Sequence, residues 1–557
     1  MKELFTKMKK ILKIIDNLLV LFLVSGVLIF ILYPFLEIFI YSFFSNGSFS
    51  MKGFEFLRHS GHLIGNSLYV GALVTILTVA VSVSIGLFCY MSGSIVKRAV
   101  SFILMITMIS PPFVSALSYI KLFGRRGFIT YNIFNLSANA YGMGGVVLMQ
   151  SIGLISLSAL IIISSLDNID RAQIDSARSL GAGTDSIIMD IILPELSSSI
   201  KVIAVLAFIR SIADFSTPLI IGGAFETLAS RSYTVFISDG DILQAGAMNI
   251  LLCVPVIITF IFYIRNSGTM VKADKGLRIS EANIKRRGVL FWIFTSLTGI
   301  FLIFLVLQYI SIILSAFIDY NKGKMFFTLN HVREIGNYTN NTVFRSIYYS
   351  FSAALAGSVL GLLLQYYIYI RGKKYLKVMD FIATMPYMLP GTFFGIGYIL
   401  AFNHEPINIT GTALIVMLNI TFKQLPFSTK IFHISMTNID KNEILSGKDL
   451  GADEYHIFKD IVLPASAEEF IVSMINNFNA TMTTVGSIIF IVYPSQKVLT
   501  LVMFDVINSG KYDIASVIAL LIIIICICFS ILLLGLGIFL KNRRRYVFRS
   551  KRINKGI

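Results

Sequence analysis

The chain reads as an all-α polytopic membrane protein with about twelve transmembrane helices, arranged as two parallel six-helix repeats. Three features support this. Of the 557 residues 56% are hydrophobic and only 14% charged, with a mean hydropathy of +0.79, which is more apolar surface than a soluble domain can bury. The apolar residues gather into runs of about 20, the length that carries a helix across a ~30 Å hydrocarbon core. Finally, two polar segments offset by 270 positions spell one pattern without insertion or deletion, and a long-period repeat of this kind fixes the architecture.

The apolar runs fall at about 17–44, 64–90, 99–121, 141–164, 198–222, 246–264, 290–318, 344–370, 378–402, 411–427, 466–490 and 512–540. Lys2, Lys7, Lys9, Lys10 and Lys13 precede the first, and Lys541, Arg543, Arg544, Arg545, Arg549, Lys551, Arg552 and Lys555 follow the last. By the positive-inside rule both termini are expected in the cytoplasm, as an even number of spans requires. Arg371, Lys373, Lys374 and Lys377 and the stretch Arg265 to Arg287 add to the inner charge; Arg125 and Arg126 fall outside and run against it. The net charge of +17 is therefore a matter of topology, and no nucleic-acid partner is expected.

The Lys-rich start resembles a secretory signal, but the apolar run is too long and has no small-residue cleavage site, so a retained span is expected. Cys89, Cys253, Cys526 and Cys528 lie in apolar runs without His or acidic companions, which points to buried thiols rather than disulfides or a metal site.

The repeat extends well beyond the polar segments. Asn66-Ser67-Leu68-Tyr69 recurs as Arg345-Ser346-Ile347-Tyr348, and Pro111 with Tyr119 recurs as Pro390 with Tyr398, at an offset of 279. After a longer loop in the first copy the offset becomes 270 through Ile174/Ile444, Leu180/Leu450, Pro194/Pro464, Gly240/Gly510 and Ala245/Ala515. The expected organisation is a cytoplasmic N-terminus, first helix and outer loop in 1–62, a first transmembrane domain in 63–265, and a cytoplasmic linker in 266–289. A seventh helix and outer loop follow in 290–343, then a second transmembrane domain in 344–541 and a basic tail in 542–557. Parallel repeats are related by an axis along the membrane normal, with any pathway between them.

Each polar segment opens as a well-signalled helix. Asp170 stands at the N-cap with Gln173 three positions on and Ile169 stapled to Ile174; Asp440, Glu443, Ile439 and Ile444 repeat the arrangement. Gly181 and Gly451 sit where a left-handed cap ends that helix. A second short helix follows, its apolar residues at Ile187, Ile188, Ile191 and Ile192 or Ile457, Phe458, Ile461 and Val462, and Pro194 or Pro464 is expected to stop it.

These segments, with an acidic-small-small start, a Gly six residues after the acid and a closing Ile-x-Leu-Pro, resemble the loop by which binding-protein-dependent ABC importer permeases dock onto their ATPase subunits. The resemblance implies docking residues Asp175, Ser176, Ala177, Gly181, Ile191, Leu193 and Pro194 in one copy, and Ser446, Gly447, Gly451, Ile461, Leu463 and Pro464 in the other. Leu445 stands where the acid is expected, which removes an ion pair there. Asp214 to Gly223 and Leu389 to Tyr398 further resemble the fused, double-length permeases of the ferric-iron importer group; similar permeases carry thiamine, aminoethylphosphonate or polyamines. The implied partners are two copies of an ABC ATPase, a periplasmic or lipid-anchored substrate-binding protein and membrane lipid, in a bacterial inner membrane. No Gly-x-x-x-x-Gly-Lys-Ser/Thr loop occurs in the chain, so ATP and magnesium are expected on the partner ATPase, with no cofactor, metal or catalytic residue here.

Ionisable and helix-breaking residues inside spans are the pathway candidates. Asp214 recurs as Thr484; it reads equally as a pathway group or as a charge neutralised by Arg210. Thr217, Pro111 and Pro390 accompany it, with Pro112, Gly391, Gly395 and Gly397 either breaking the spans or serving only to pack them. His59, His62, His331 and His404 fall in outer loops. An ion-coupled secondary transporter is the rival class, for which Asp214 is the single supporting group; no constellation suggests an enzyme.

Overall fold

In the computed structural model residues 2–45, 48–111, 113–125, 127–135, 140–267, 288–321 and 324–553 are described. The greater part of the expected linker 266–289, together with Pro112 and Arg126, lies outside them. Helices make up nearly all of the described chain, with two short antiparallel hairpins, one pairing Phe44 with Phe49 and the other Ile318 with Phe327.

Among the described residues seven helices are long and apolar enough to cross a membrane: Ile14–Phe43, His62–Ser92, Met143–Leu166, Ile242–Ile261, Val289–Phe317, Thr342–Ile370 and Tyr512–Phe539. Three bent pairs raise the number to as many as ten. The third and ninth apolar runs are two of these pairs, folded by 101° and 116° where Pro111 and Pro390 interrupt them. The runs 411–427 and 466–490 correspond to helices Ala413–Asn438 and Ala467–Met482, which carry Asn419, Lys423 and Gln424, and Glu468 and Glu469. Both runs are read as spans from the sequence; the polar residues of the first and the 16-residue length of the second keep them outside the seven long apolar helices.

The packing units cut across the sequence repeats. One comprises Met1–Tyr41, Asn340–Leu501 and Leu521–Ile557, the other Ser42–Thr339 and Val502–Leu520. The leading helix of each repeat thus belongs to the unit built by the other repeat.

In the first of these units, Pro34 explains how the N-terminal helix is seated. Proline has no N–H to offer the carbonyl four residues back, at Phe30, and a carbonyl freed in hydrocarbon needs another donor. Tyr398 of the second repeat supplies it, its hydroxyl donating to Phe30 O at 2.7 Å. The Phe30 ring packs between Phe402 and Phe422, at 5.6 and 5.0 Å. Deeper in the unit, Ser358, Ser428, Ser473 and Asn477 hydrogen-bond to one another at 2.8–3.4 Å across helices Thr342–Gln365, Ala413–Asn438 and Ala467–Met482. Small residues bring those helices close: a Cβ on Gly361 would lie 2.5 Å from Ser428 Cβ.

The other unit is built on His62–Ser92 against Met143–Leu166, where a Cβ on Gly86 would lie 2.3 Å from Ile162. Helix Val289–Phe317 packs beside them, contributing Phe301 and Leu305 to a core that includes Ile85, Leu104 and Ile155.

Gly361→Ala is expected to destabilise the purified protein by ~1–3 kcal/mol through overpacking. Gly535→Ala, on a helix surface with no atom within 4 Å of the new methyl, is expected to be neutral or slightly stabilising. Thermal unfolding in detergent separates them; equal shifts would refute the assignment of Gly361 to a close helix contact.

Candidate functional site

The paired polar segments share their capping bonds and their closing turn. In the first, helix Arg171–Ser179 is capped by Asp170, whose carboxylate accepts from Ala172 N at 2.9 Å; in the second, Asp440 accepts from Asn442 N at 2.9 Å over Lys441–Asp449. Both caps use the second helical N–H. The C-termini close as Schellman motifs: Gly181 N donates to Arg178 O and Ala182 N to Ala177 O, and Gly451 N to Lys448 O and Ala452 N to Gly447 O, all at 2.9–3.0 Å. Gly181 and Gly451 have φ of +88° and +83°, the left-handed conformation expected of them.

The second helix of each segment departs from expectation at its end. Residues 188–192 and 457–462 widen into π-turns, and the chain stays helical through Pro194 and Pro464. A π-turn shifts the hydrogen-bond register ahead of the proline and so accommodates its missing N–H and its ring. In the first copy the break comes after Glu195, with a bend of 63° into Ser197–Ala213.

The expected partner-facing residues separate into two groups. Ser176, Ser446, Asp175 and Leu445 are exposed, and the Asp175 carboxylate lies 3.8 Å from Arg178 of its own helix. Ala177 and Gly447 instead face inward. Ala177 packs against the cluster containing Ile174, Ile187, Ile188 and Ile192, and a Cβ on Gly447 would lie 3.2 Å from Ile461. Their smallness serves the packing of the segment's two helices on each other. Ile191, Leu193, Ile461 and Pro464 are half-buried, whereas Pro194 and Leu463 are exposed.

A feature missed in the sequence is the leucine before each cap glycine. Leu180 and Leu450 are both 89% exposed, more than any other large apolar side chain described. An isolated apolar knob in one position of both repeats suits a pocket on a partner. The available signal was a leucine recurring at a polar helix end, six residues beyond the staple isoleucine and thus off its face.

The segments are anchored differently. The first rests on an apolar cluster that includes Leu87, Leu166 and Phe291. The second likewise buries Ile444, Ile457 and Val462, and adds charge: Glu454 lies 3.3 Å from Arg371 and 3.4 Å from Lys448. Asp453 beside it accepts from His456 N at 2.9 Å and from the His456 ring at 2.6 Å, and these bonds hold its carboxyl below the usual carboxylate range.

The pathway candidates of the first repeat line one cavity of about 280 Å³, among them Pro111, Asp214 and Thr217, with Arg210, Gln150 and Gln308. Asp214 sits at the break between helices Ser197–Ala213 and Ser216–Ile221. One carboxylate oxygen accepts from Ser216 N at 2.9 Å, Ser216 Oγ at 2.6 Å and Thr217 N at 3.3 Å; the other accepts from Gln150 at 3.1 Å. It therefore repairs a broken helix as well as facing the cavity. In the second repeat the helix that follows the proline lies close against residues 486 and 487. A Cβ on Gly391 would meet Gly486 at 3.0 Å, and one on Gly395 would meet Ser487 O at 2.8 Å, leaving Pro390 buried at the head of its helix. Thr484 accepts from Lys423 Nζ at 3.4 Å. The prolines therefore mark the breaks and these glycines the close contacts, so both readings of the motif hold.

Two like helix–turn–helix segments on a duplicated helical membrane frame, with a polar cavity among the helices of one unit, suit a transport permease. The chain belongs to the family described as the binding-protein-dependent transport system inner membrane component, whose model matches residues 82–320 and 354–546, once in each repeat. It is accordingly a multi-pass inner-membrane ABC importer permease of the fused, double-length type. A ferric transport system permease protein, FbpB, of Actinobacillus pleuropneumoniae is 25% identical over 503 residues, covering 87% of this chain and 73% of the relative. The molybdenum transport system permease protein ModB of Escherichia coli is 30% identical over 165 residues, 28% of this chain and 70% of the relative. The spermidine/putrescine transport system permease protein PotC of Escherichia coli is 27% identical over 158 residues, 28% of this chain and 58% of the relative.

Gly181→Ala and Gly451→Ala force a side chain into the left-handed region at a cost of about 1–2 kcal/mol each. Faster amide hydrogen exchange is expected over 171–182 and 441–452 respectively, with the rest of the protein unaffected. Unchanged exchange in both would show that the caps do not hold the segments.

Proposed function

We propose that this chain forms the translocation pathway of an ATP-driven importer of ferric iron. Residues 170–194 and 440–464 dock in the cytoplasm onto two copies of a separate ATPase subunit, with both termini on the same side. The observation that carries this reading is the matched pair of capped segments, each presenting an exposed leucine beside its left-handed glycine. Closure of the ATPase dimer moves the two segments together, and the coupled helices open the path outward to a docked binding protein. Asp214, Thr217 and Pro111 line that path in the first repeat, and Pro390 and Thr484 mark its counterpart in the second. Iron as cargo is supported by the ferric relative, which matches along most of the chain, whereas the molybdenum and polyamine relatives match only a part. A polyamine cargo is the second reading, favoured by the spermidine/putrescine relative and by the carboxylate of Asp214 in the cavity.

Purification of the permease from its native host is expected to retain an ATPase, and the cognate binding protein is expected to take ferric ion in preference to molybdate or spermidine. Absence of any ATPase would remove the class assignment, and preference for another ligand would remove the cargo.

The two segments are expected to contribute unequally. A carboxylate desolvated against a cationic group of the ATPase is worth roughly 1.5–3 kcal/mol, so Asp175→Ala should weaken ATPase retention more than Leu445→Ala, with the larger difference at low salt. Leu180→Ala and Leu450→Ala should each weaken it to a similar extent, by ~1.5–3 kcal/mol of lost apolar burial. Equal or reversed losses for Asp175→Ala and Leu445→Ala would show that the acidic position does not organise the interface.

A further inference from the structure

We infer that Asp16 couples the first transmembrane helix to the second docking segment through a single guanidinium, that of Arg371, so that motion of residues 440–464 is passed directly to that helix. The inference rests on the importer reading above. Asp16 stands near the start of the span Ile14–Phe43, and three groups converge on its carboxylate: the Tyr367 hydroxyl at 2.8 Å, Arg371 Nη2 at 3.1 Å and Lys373 Nζ at 3.4 Å. The side chains of Asp16, Arg371 and Lys373 are only 19–20% exposed, so solvent screens these contacts less than it screens surface pairs.

The other arm of the same guanidinium, Nη1, lies 3.3 Å from Glu454 Oε2, at the start of the segment's second helix. Glu454 Oε1 in turn lies 3.4 Å from Lys448 on the segment's first helix. Charges therefore alternate without interruption through Lys448, Glu454, Arg371, Asp16 and Lys373. Tyr366 braces the junction, its ring 4.8 Å from that of Phe458 and its hydroxyl 3.4 Å from Glu454 O.

The first docking segment also meets a leading helix, by different chemistry. Phe291 of helix Val289–Phe317 joins the cluster of Ile174, Ile187 and Ile188, with Leu290 and Phe294 packed beside it. The positions equivalent to Glu454, Arg371 and Lys373 are Thr184, Ser92 and Ser94, none of them charged. Apolar contact is non-directional and lets two surfaces slide. The guanidinium donates a hydrogen bond to Asp16 and holds Glu454 at ion-pair distance, an attraction across partly buried groups that resists separation, so the second segment and its helix are expected to move together. Asp16 is a positioning residue: it touches neither cargo nor ATPase.

The test uses the complete transporter of permease, ATPase and binding protein in liposomes. Asp16→Asn should retain the ATPase yet lower substrate moved per ATP hydrolysed by about two- to five-fold. Asp16→Glu should restore most of the ratio, and Arg371→Gln combined with Asp16→Asn should be no worse than Arg371→Gln alone. An unchanged ratio in Asp16→Asn would overturn the inference. For the permease alone, hydrogen exchange over residues 454–462 should accelerate in Asp16→Asn, and unaltered exchange there would equally overturn it. If the wild-type permease holds no ATPase, the importer reading fails instead, and the exchange measurement by itself decides whether the Asp16 linkage exists.

Discussion

Hydrocarbon offers no partner to a backbone amide, and much of this structure follows from that constraint. Continuous helices satisfy it without help. At two interruptions a side chain makes good the loss: Tyr398 donates to the Phe30 carbonyl ahead of Pro34, and Asp214 accepts the N–H groups exposed at the break before Ser216. Several polar residues within the spans thus have a local structural task, whatever further role they serve. This is why Asp214 combines the two readings its sequence context allows: a carboxylate that caps a broken helix over a cavity is also a carboxylate facing that cavity.

Duplication has preserved the frame and released the details. Both segments keep the N-cap aspartate, the Schellman closure and the exposed leucine, features that fix a shape. What lies beneath them has diverged. The second segment adds alternating charges about Glu454 where the first has the uncharged Thr184, and the cavity of about 280 Å³ is lined by Asp214 where the second repeat has Thr484. A fused chain permits this, since each half has its own stretch of sequence and can vary independently of the other.

The legible part of the fold was the part determined locally. Apolar run lengths located the long helices, the recurring Pro and Tyr located the repeat, and a glycine at the end of a capped helix signalled a left-handed residue. Long-range pairing was not legible. Nothing in the composition of residues 14–43 indicates that they pack against residues 398, 402 and 422, or that Asp16 meets Arg371. The direction of Ala177 and Gly447 was likewise hidden, because a small residue on a short amphipathic helix suits either face. Helices Ala413–Asn438 and Ala467–Met482 were counted as apolar runs, but the pairing of their polar residues was hidden: Asn477 and Ser428 satisfy each other across two helices, which neither run shows alone.

The exchange of leading helices also bears on how the protein is made. Residues up to Tyr41 leave the ribosome long before the residues from Asn340 onward that they pack against, an interval of ~15–60 s at ~5–20 residues per second. Throughout that time the Phe30 carbonyl is without the Tyr398 hydroxyl that it accepts from in the finished protein. The opposite unit can assemble as it emerges but stays incomplete until Val502–Leu520 arrives. Neither unit closes before the last fifth of the chain is synthesised, so a truncated product is left with two unfinished membrane bodies and is a natural substrate for membrane quality-control proteolysis.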